Sequence, residues 1–301
     1  MRSAKRSVMI YSIENEFLKV SVNTAGAQLW SLYSKKTETE YLWQGDEKYW
    51  TGRAYNLFPF IGRMYDGVFT YDGKTYPSRA HGLARYFEFA LETQTQDRLV
   101  FVMQSSEATL KEYPFRFVFR VEFILNGSAL ETKYFATNTD DKEMICCFGG
   151  HPGINVPFGK GEFEEYYLEF SSATSPKRQL LAEGDKFMAD KSVPYELKDG
   201  VKLPLRHDDY LHDAIILENT SGEVSLKCDK ESRFVTVKYA DFPFIGFWQA
   251  ISETTPFICI EPWSALPAID GKVVDLESKP HTTRIPVGET KSVSFTLEIH
   301  E

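Results

Sequence analysis

Phe115–Leu125 reads FRFVFRVEFIL. Phe115, Phe117, Phe119, Val121, Phe123 and Leu125 fall on one side of a period-two pattern. Arg116, Arg120 and Glu122 fall on the other. Successive strand side chains point to opposite faces, so this alternation specifies a half-buried β-strand. The pattern continues outward in both directions. VFTYDGKTY (Val68–Tyr76) is a hairpin whose Asp72-Gly73 corner suits a type I′ turn. RLVFVMQ (Arg98–Gln104), LETKYFATN (Leu130–Asn138), EVSLKCD (Glu223–Asp229), RFVTVKYA (Arg233–Ala240), PFICIEP (Pro256–Pro262) and SVSFTLEI (Ser292–Ile299) supply further strands. Helical patterning is confined to SSEATLKEY (Ser105–Tyr113), two turns with a serine cap before Glu107.

Many short strands with Gly, Pro, Asp and Asn punctuation read as an all-β sandwich or barrel. The 301 residues are 43% hydrophobic and 15% aromatic, with 23 Phe and 16 Tyr, enough for a large core and spare rings at a ligand surface. Ser171–Pro204 is polar and irregular and reads as a long loop or excursion inside one domain, residues 1–301. No repeat, heptad or low-complexity linker interrupts the pattern. The net charge of −9 argues against a nucleic-acid or anionic-membrane partner, although local arginines can still hold a small anion. The opening MRSAKRSVMIYSIENEF is basic but lacks the apolar run of a secretory signal, and no stretch approaches the roughly 20 apolar residues of a membrane span. Cys146, Cys147, Cys228 and Cys259 show no CxxC or zinc spacing and read as reduced core residues, which places the chain in the cytoplasm. Asn219-Thr-Ser, a glycosylation sequon, is irrelevant there.

Five segments carry polar residues in places that invite chemistry. In LFPFIGRMYDG (Leu57–Gly67), Arg63 is either a surface arginine at a strand end or a guanidinium for a sugar hydroxyl, ring oxygen or phosphate. In RAHGLAR (Arg79–Arg85), His81 lies between Arg79 and Arg85, which could bind an anion. FGGHPGINVPF (Phe148–Phe158) holds His151 between glycines and a proline, either a tight turn or a device that aims one ring nitrogen. In HDDYLHDAIIL (His207–Leu217), Asp213 starts an apolar strand, while His207 and His212 read as exposed loop residues. In PFICIEPWSALPAIDG (Pro256–Gly271) an apolar run ends at Glu261; a buried carboxylate there would need pairing or a function, and burial would raise its pKa toward that of a working base. Trp263 either stacks on a sugar face or plugs the core. No P-loop, GxGxxG, GxSxG or HExxH competes, and no second carboxylate pairs with Glu261 by sequence to make a glycosidase.

Taken in order, FPFIGR, HGLAR, GGHPGINVPF, the aspartate before a strand and CIEPWSALPAIDG resemble the aldose 1-epimerase (galactose mutarotase-like) family, from ENEFLKVSVNTAGAQLWSL (Glu14–Leu32) to the last strands. HGLAR and EPW look most like its LacX-type bacterial branch, which is akin to glucose-6-phosphate 1-epimerases. The resemblance implies a large antiparallel β-sandwich, the supersandwich of galactose mutarotase. It implies His151 as the general acid at the ring oxygen and Glu261 as the general base at the C1 hydroxyl. His81, Arg63 and Asp213 would hold the sugar. Anomer exchange needs an acid and a base about one sugar ring apart and calls for no metal or organic cofactor. Arg79 and Arg85, as extra cations near the presumed site, leave room for a phosphosugar whose phosphate Arg63 and Arg85 could hold, and a non-catalytic sugar-binding protein on the same sandwich is the remaining alternative.

Overall fold

The computed structural model describes residues 9–183 and 186–301. The basic opening segment, read above for a secretory signal, lies outside them up to residue 8. Almost all regular structure is strand, and the large sheets are antiparallel. The Phe117–Asn126 strand pairs with Arg98–Gln104 on one side and Ala129–Asn138 on the other. Phe117, Phe119, Val121 and Phe123 are buried, as their alternation requires. The strand begins two residues later than the pattern suggests: the Arg116 N–H is taken by the Asp140 carboxylate at 2.6 Å rather than by a neighbouring strand. On the opposite face Glu122 is also buried, held by Arg98.

This strand sits within a nine-stranded sheet that runs from Lys202–Pro204 at one edge to Ala90–Gln94 at the other. A seven-stranded sheet runs from Met188–Pro194 to Ala54–Leu57. One contiguous apolar core joins the two: Phe117, Phe119, Val121, Val235 and Leu297 come from the first sheet, and Ile154, Ile215, Leu217, Ile258 and Ile260 from the second. The other face of the seven-stranded sheet is covered as well. Leu57, Ile61, Ile216, Phe244 and Trp263 form one cluster there, and Trp43, Phe257 and Cys259 another. The Phe257–Trp263 strand is therefore buried on both faces, which explains the continuous apolar run Phe257–Ile260 that precedes Glu261.

The Val68–Tyr71/Lys74–Pro77 hairpin turns through Asp72 (φ 49°) and Gly73 (φ 68°), both left-handed as a type I′ corner needs. The only α-helix among the described residues is Glu107–Leu110, capped by Ser106, whose hydroxyl accepts the Thr109 N–H at 3.3 Å. All four cysteines are free and buried, with Cys146 in the inter-sheet core and Cys147 on the opposite side. Of the two readings of Ser171–Pro204, the long loop fails. The segment contains the strands Lys177–Leu181, Met188–Pro194 and Lys202–Pro204. Met188–Pro194 is an edge strand exposed over most of its length, so its polar, lysine-bearing sequence carries no apolar alternation to read. His207 is not an exposed loop residue either: its ring stacks on Phe163 with centroids 4.0 Å apart, and Nδ1 lies 3.1 Å from the Gln249 side-chain oxygen. His212 is exposed as expected. Among the described residues no helix is long and apolar enough to cross a membrane.

Candidate active site

The seven-stranded sheet positions the two central side chains by register. Gly149 lies opposite Trp263 and Gly153 opposite Cys259, so His151 and Glu261 face each other across adjacent strands. Both point away from the inter-sheet core. His151 Nε2 lies 3.3 Å from Glu261 Oε1, and both residues are buried. The two groups are thus in direct contact, closer than one sugar ring. Gly149 and Gly150 do not form a turn. They lie in the regular strand Gly149–Asn155, and neither adopts a left-handed angle. Close approach is what requires them: a Cβ on Gly150 would sit 2.7 Å from the Phe295 ring, and one on Gly149 2.8 Å from Ile61 Cδ1.

Two loops bring up the polar partners. The Phe58 ring stacks on Phe119, centroids 4.1 Å apart, which anchors the 58–63 loop to the inter-sheet core. The loop then meets the 79–85 segment in a reciprocal pair. The His81 N–H donates to the Gly62 carbonyl at 2.6 Å, and the Gly62 N–H donates to His81 Nδ1 at 3.2 Å. That acceptor role leaves the ring proton of neutral His81 on Nε2, a donor for the cavity. His81 and Asp213 both have left-handed backbones, φ 64° and 80°. Such strain costs about 1–3 kcal/mol per residue and collects at functional sites. Arg85 lies over the Tyr55 ring at 3.9 Å and also lines the cavity. Arg79 is elsewhere. Its guanidinium forks onto Glu112 at 2.7 and 2.8 Å and covers Tyr86, so the anion-binding role read for it does not hold.

Arg63, His81, Arg85, His151, Asp213 and Glu261 all line one cavity of about 260 Å³. That is below the roughly 300–1,000 Å³ usual for drug-sized ligands and suits a single sugar ring rather than a glycan chain. Its wall also contains Trp50, Lys186, Trp248, Trp263 and Pro267. Trp50 stacks on His151 with centroids 4.9 Å apart, and Trp248 meets the same ring edge-on at 5.5 Å. Nothing in the local sequence marks either tryptophan; only the fold brings them to the histidine. Trp263 serves as a donor, its indole N–H reaching Glu261 Oε2 at 3.2 Å. Asp213 supplies the second carboxylate near Glu261 that sequence spacing did not reveal. A larger cavity of about 430 Å³ lies beyond Leu266–Ile269 and contains neither His151 nor Glu261.

Burial sets the protonation of the pair. It pushes Glu261 well above the usual carboxylate range, the Asp213 charge adds to that, and the Trp263 donor opposes it. Burial, the His81 ring and Arg85 together hold His151 well below the ordinary imidazole value. His81 falls to about 3, through burial first and then Arg85 and Arg63. Asp213 is raised by burial, against Lys186, Trp248 and Arg63. Burial thus favours the neutral form of each of these two groups in contact, and Nδ1 of His151 is buried without a hydrogen-bond partner.

The family model for aldose 1-epimerase matches residues 9–275. The chromosomal protein LacX of Lactococcus lactis subsp. lactis is 33% identical over 306 aligned positions, covering 97% of this chain and 99% of that protein. A galactose mutarotase related enzyme from Lactobacillus acidophilus superposes with a TM-score of 0.91 at 33% identity, over 97% of this chain and 98% of its own. A galactose mutarotase-like protein from Lactobacillus casei superposes with the same TM-score of 0.91 at 30% identity, over 97% and 100%. A putative aldose 1-epimerase from Escherichia coli K12, 16% identical with a TM-score of 0.75 over 98% and 99%, shares the fold.

Proposed function

Because this chain belongs to the aldose 1-epimerase family, we propose that it interconverts the α and β anomers of a hexose by acid–base ring opening and reclosure. The observation that carries the proposal is the contact of 3.3 Å between His151 Nε2 and Glu261 Oε1 in a cavity sized for one sugar ring. O1 and O5 of a pyranose are both bonded to C1, so they lie one bond angle apart. An acid and a base in contact can address both after a small separation. Glu261 takes the O1 proton while His151 delivers one to O5, the C1–O5 bond breaks, and the open-chain aldehyde forms. Rotation about C1–C2 presents the other carbonyl face. Reclosure returns both protons along the same routes.

One proton on the couple suffices for this cycle. Resting on Glu261, it passes across the contact to Nε2, giving the carboxylate and imidazolium that ring opening consumes. Ring opening puts a proton back on Glu261. Each acid–base role contributes about 10²–10⁴ in rate, and fixed orientation adds to that. His81 Nε2–H and Arg63 would donate to ring and hydroxyl oxygens, Asp213 would accept from hydroxyls, and Arg85 would add a further donor.

Polarimetry of freshly dissolved α-glucose and α-galactose tests this, and enzyme-dependent acceleration of either is expected. A hexose 6-phosphate is a second reading, favoured by three cationic side chains that line the cavity: Arg63, Arg85 and Lys186. Anomer exchange of glucose 6-phosphate followed by NMR separates the two. Sugar binding without acceleration of any of these substrates would leave a recognition protein instead, and turnover of a chromogenic glycoside would point to a hydrolase.

A further inference from the structure

His151 and Glu261 have a third neighbour that the acid–base cycle does not use. Cys259 lies two residues before Glu261 on the same strand, so it projects from the same face. The residue opposite it is Gly153, which contributes no side chain of its own, and the Trp43 and Trp50 side chains close over that glycine. One donor atom from each of His151, Cys259 and Glu261 lies within 4.8 Å of the other two, and all three residues are buried. Donors around a tetrahedral zinc ion, at bond lengths of about 2.0–2.3 Å, stand roughly 3.3–3.8 Å apart. The nitrogen and oxygen already meet that spacing at 3.3 Å.

We propose that His151, Cys259 and Glu261 form a binding site for a thiophilic divalent cation such as Zn²⁺, and that the cation excludes the sugar. The donor set is right for zinc: a thiolate, an imidazole and a carboxylate, with a fourth position open to the cavity. Charge supports the same ion. One thiolate, one carboxylate and one neutral imidazole balance a divalent cation, so the complex is neutral where it is buried. Nε2 is the ring nitrogen that faces Glu261, so it is the one placed to ligate, while Nδ1 would carry the ring proton in a buried position without a hydrogen-bond partner. Access runs through the sugar cavity, since His151 and Glu261 line it and Cys259 lies behind them. The cation takes up the donor atoms that ring opening needs, so its occupancy competes with the sugar. Sequence spacing alone gives no hint of this trio, because its members come from two strands more than a hundred residues apart.

The test uses the full chain and two probes, Zn²⁺ by calorimetry and Co²⁺ by absorption. The expected result is one ion per chain, with a near-ultraviolet thiolate-to-cobalt charge-transfer band. Cys259→Ala, or Cys259→Ser if the first fails to fold, should lose the band and bind at least about tenfold more weakly. Its anomer exchange without metal should match wild type. Zinc inhibition of wild type should be competitive with sugar, reversed by a chelator and relieved in the variant. Absence of the band in wild type, or equal zinc affinity in wild type and variant, would overturn the site. The inhibition arm rests on the epimerase reading proposed above, whereas the binding arm does not, so their failures are distinguishable.

Discussion

At the scale of single residues, the cavity is set by how burial and neighbours treat a few titratable groups. His81 is the clearest case. Its pKa drops from 6.5 to about 3 in the folded chain. The unfolded chain takes up this proton first, so His81's contribution is complete above about pH 6.5 and is lost as the pH falls toward 3. Asparagine tolerates a left-handed backbone and can offer an oxygen to the Gly62 N–H, so His81→Asn should fold. Its melting temperature should fall less steeply than that of wild type between pH 6.5 and 4, and parallel slopes would contradict the assignment. The arginines divide in the same local way. Arg85→Ala should raise the sugar KM about ten- to a hundredfold, the loss of a charge-assisted hydrogen bond. Arg79→Ala should leave KM unchanged, because its guanidinium is committed to Glu112. Steady-state kinetics on both variants checks this. Sequence reading paired Arg79 with Arg85 because they flank His81 closely, and the pairing failed on side-chain direction, which spacing does not encode in a turn.

At the scale of elements, the site depends on a strand that carries glycines for space. Gly150→Ala would drive a Cβ into the Phe295 ring. Overpacking of this kind costs about 1–3 kcal/mol, and it displaces the strand that carries His151. Chemical denaturation should show that loss, with a fall in kcat larger than the change in KM. An unperturbed stability would mean that Phe295 yields freely. The strands themselves were largely legible, because Phe117–Asn126 and its partners alternate strictly against one deep core. Lys177–Leu181 and Met188–Pro194 were not, since strands at the margin of a sheet need no apolar face. Of the two readings of GGHPG, the tight turn fails and the aimed ring nitrogen stands open, because composition shows that a side chain is absent, not whether torsion or crowding demands it.

At the scale of the whole molecule, two sheets share one contiguous core that draws on strands from both ends of the chain, including Thr290–His300 and Leu18–Asn23. We propose on that basis that residues 1–301 behave as one domain. Heating should give a single transition, coincident by far-ultraviolet circular dichroism and tryptophan fluorescence, and a saturating sugar should raise its midpoint. Two resolved transitions would contradict a single domain. This long-range closure is also why the candidate site was only partly readable. The motif residues could be gathered by their resemblance to a family, but their contact, the tryptophans around His151 and the thiol beneath it exist only once distant strands pair. The central claim, that His151 and Glu261 exchange protons with the sugar, is tested most directly by NMR exchange of the fastest anomer pair with wild type, Glu261→Gln and His151→Gln. Each substitution should lower kcat by about 10²–10⁴ while calorimetry still detects sugar binding. Wild-type rates in Glu261→Gln would contradict the claim.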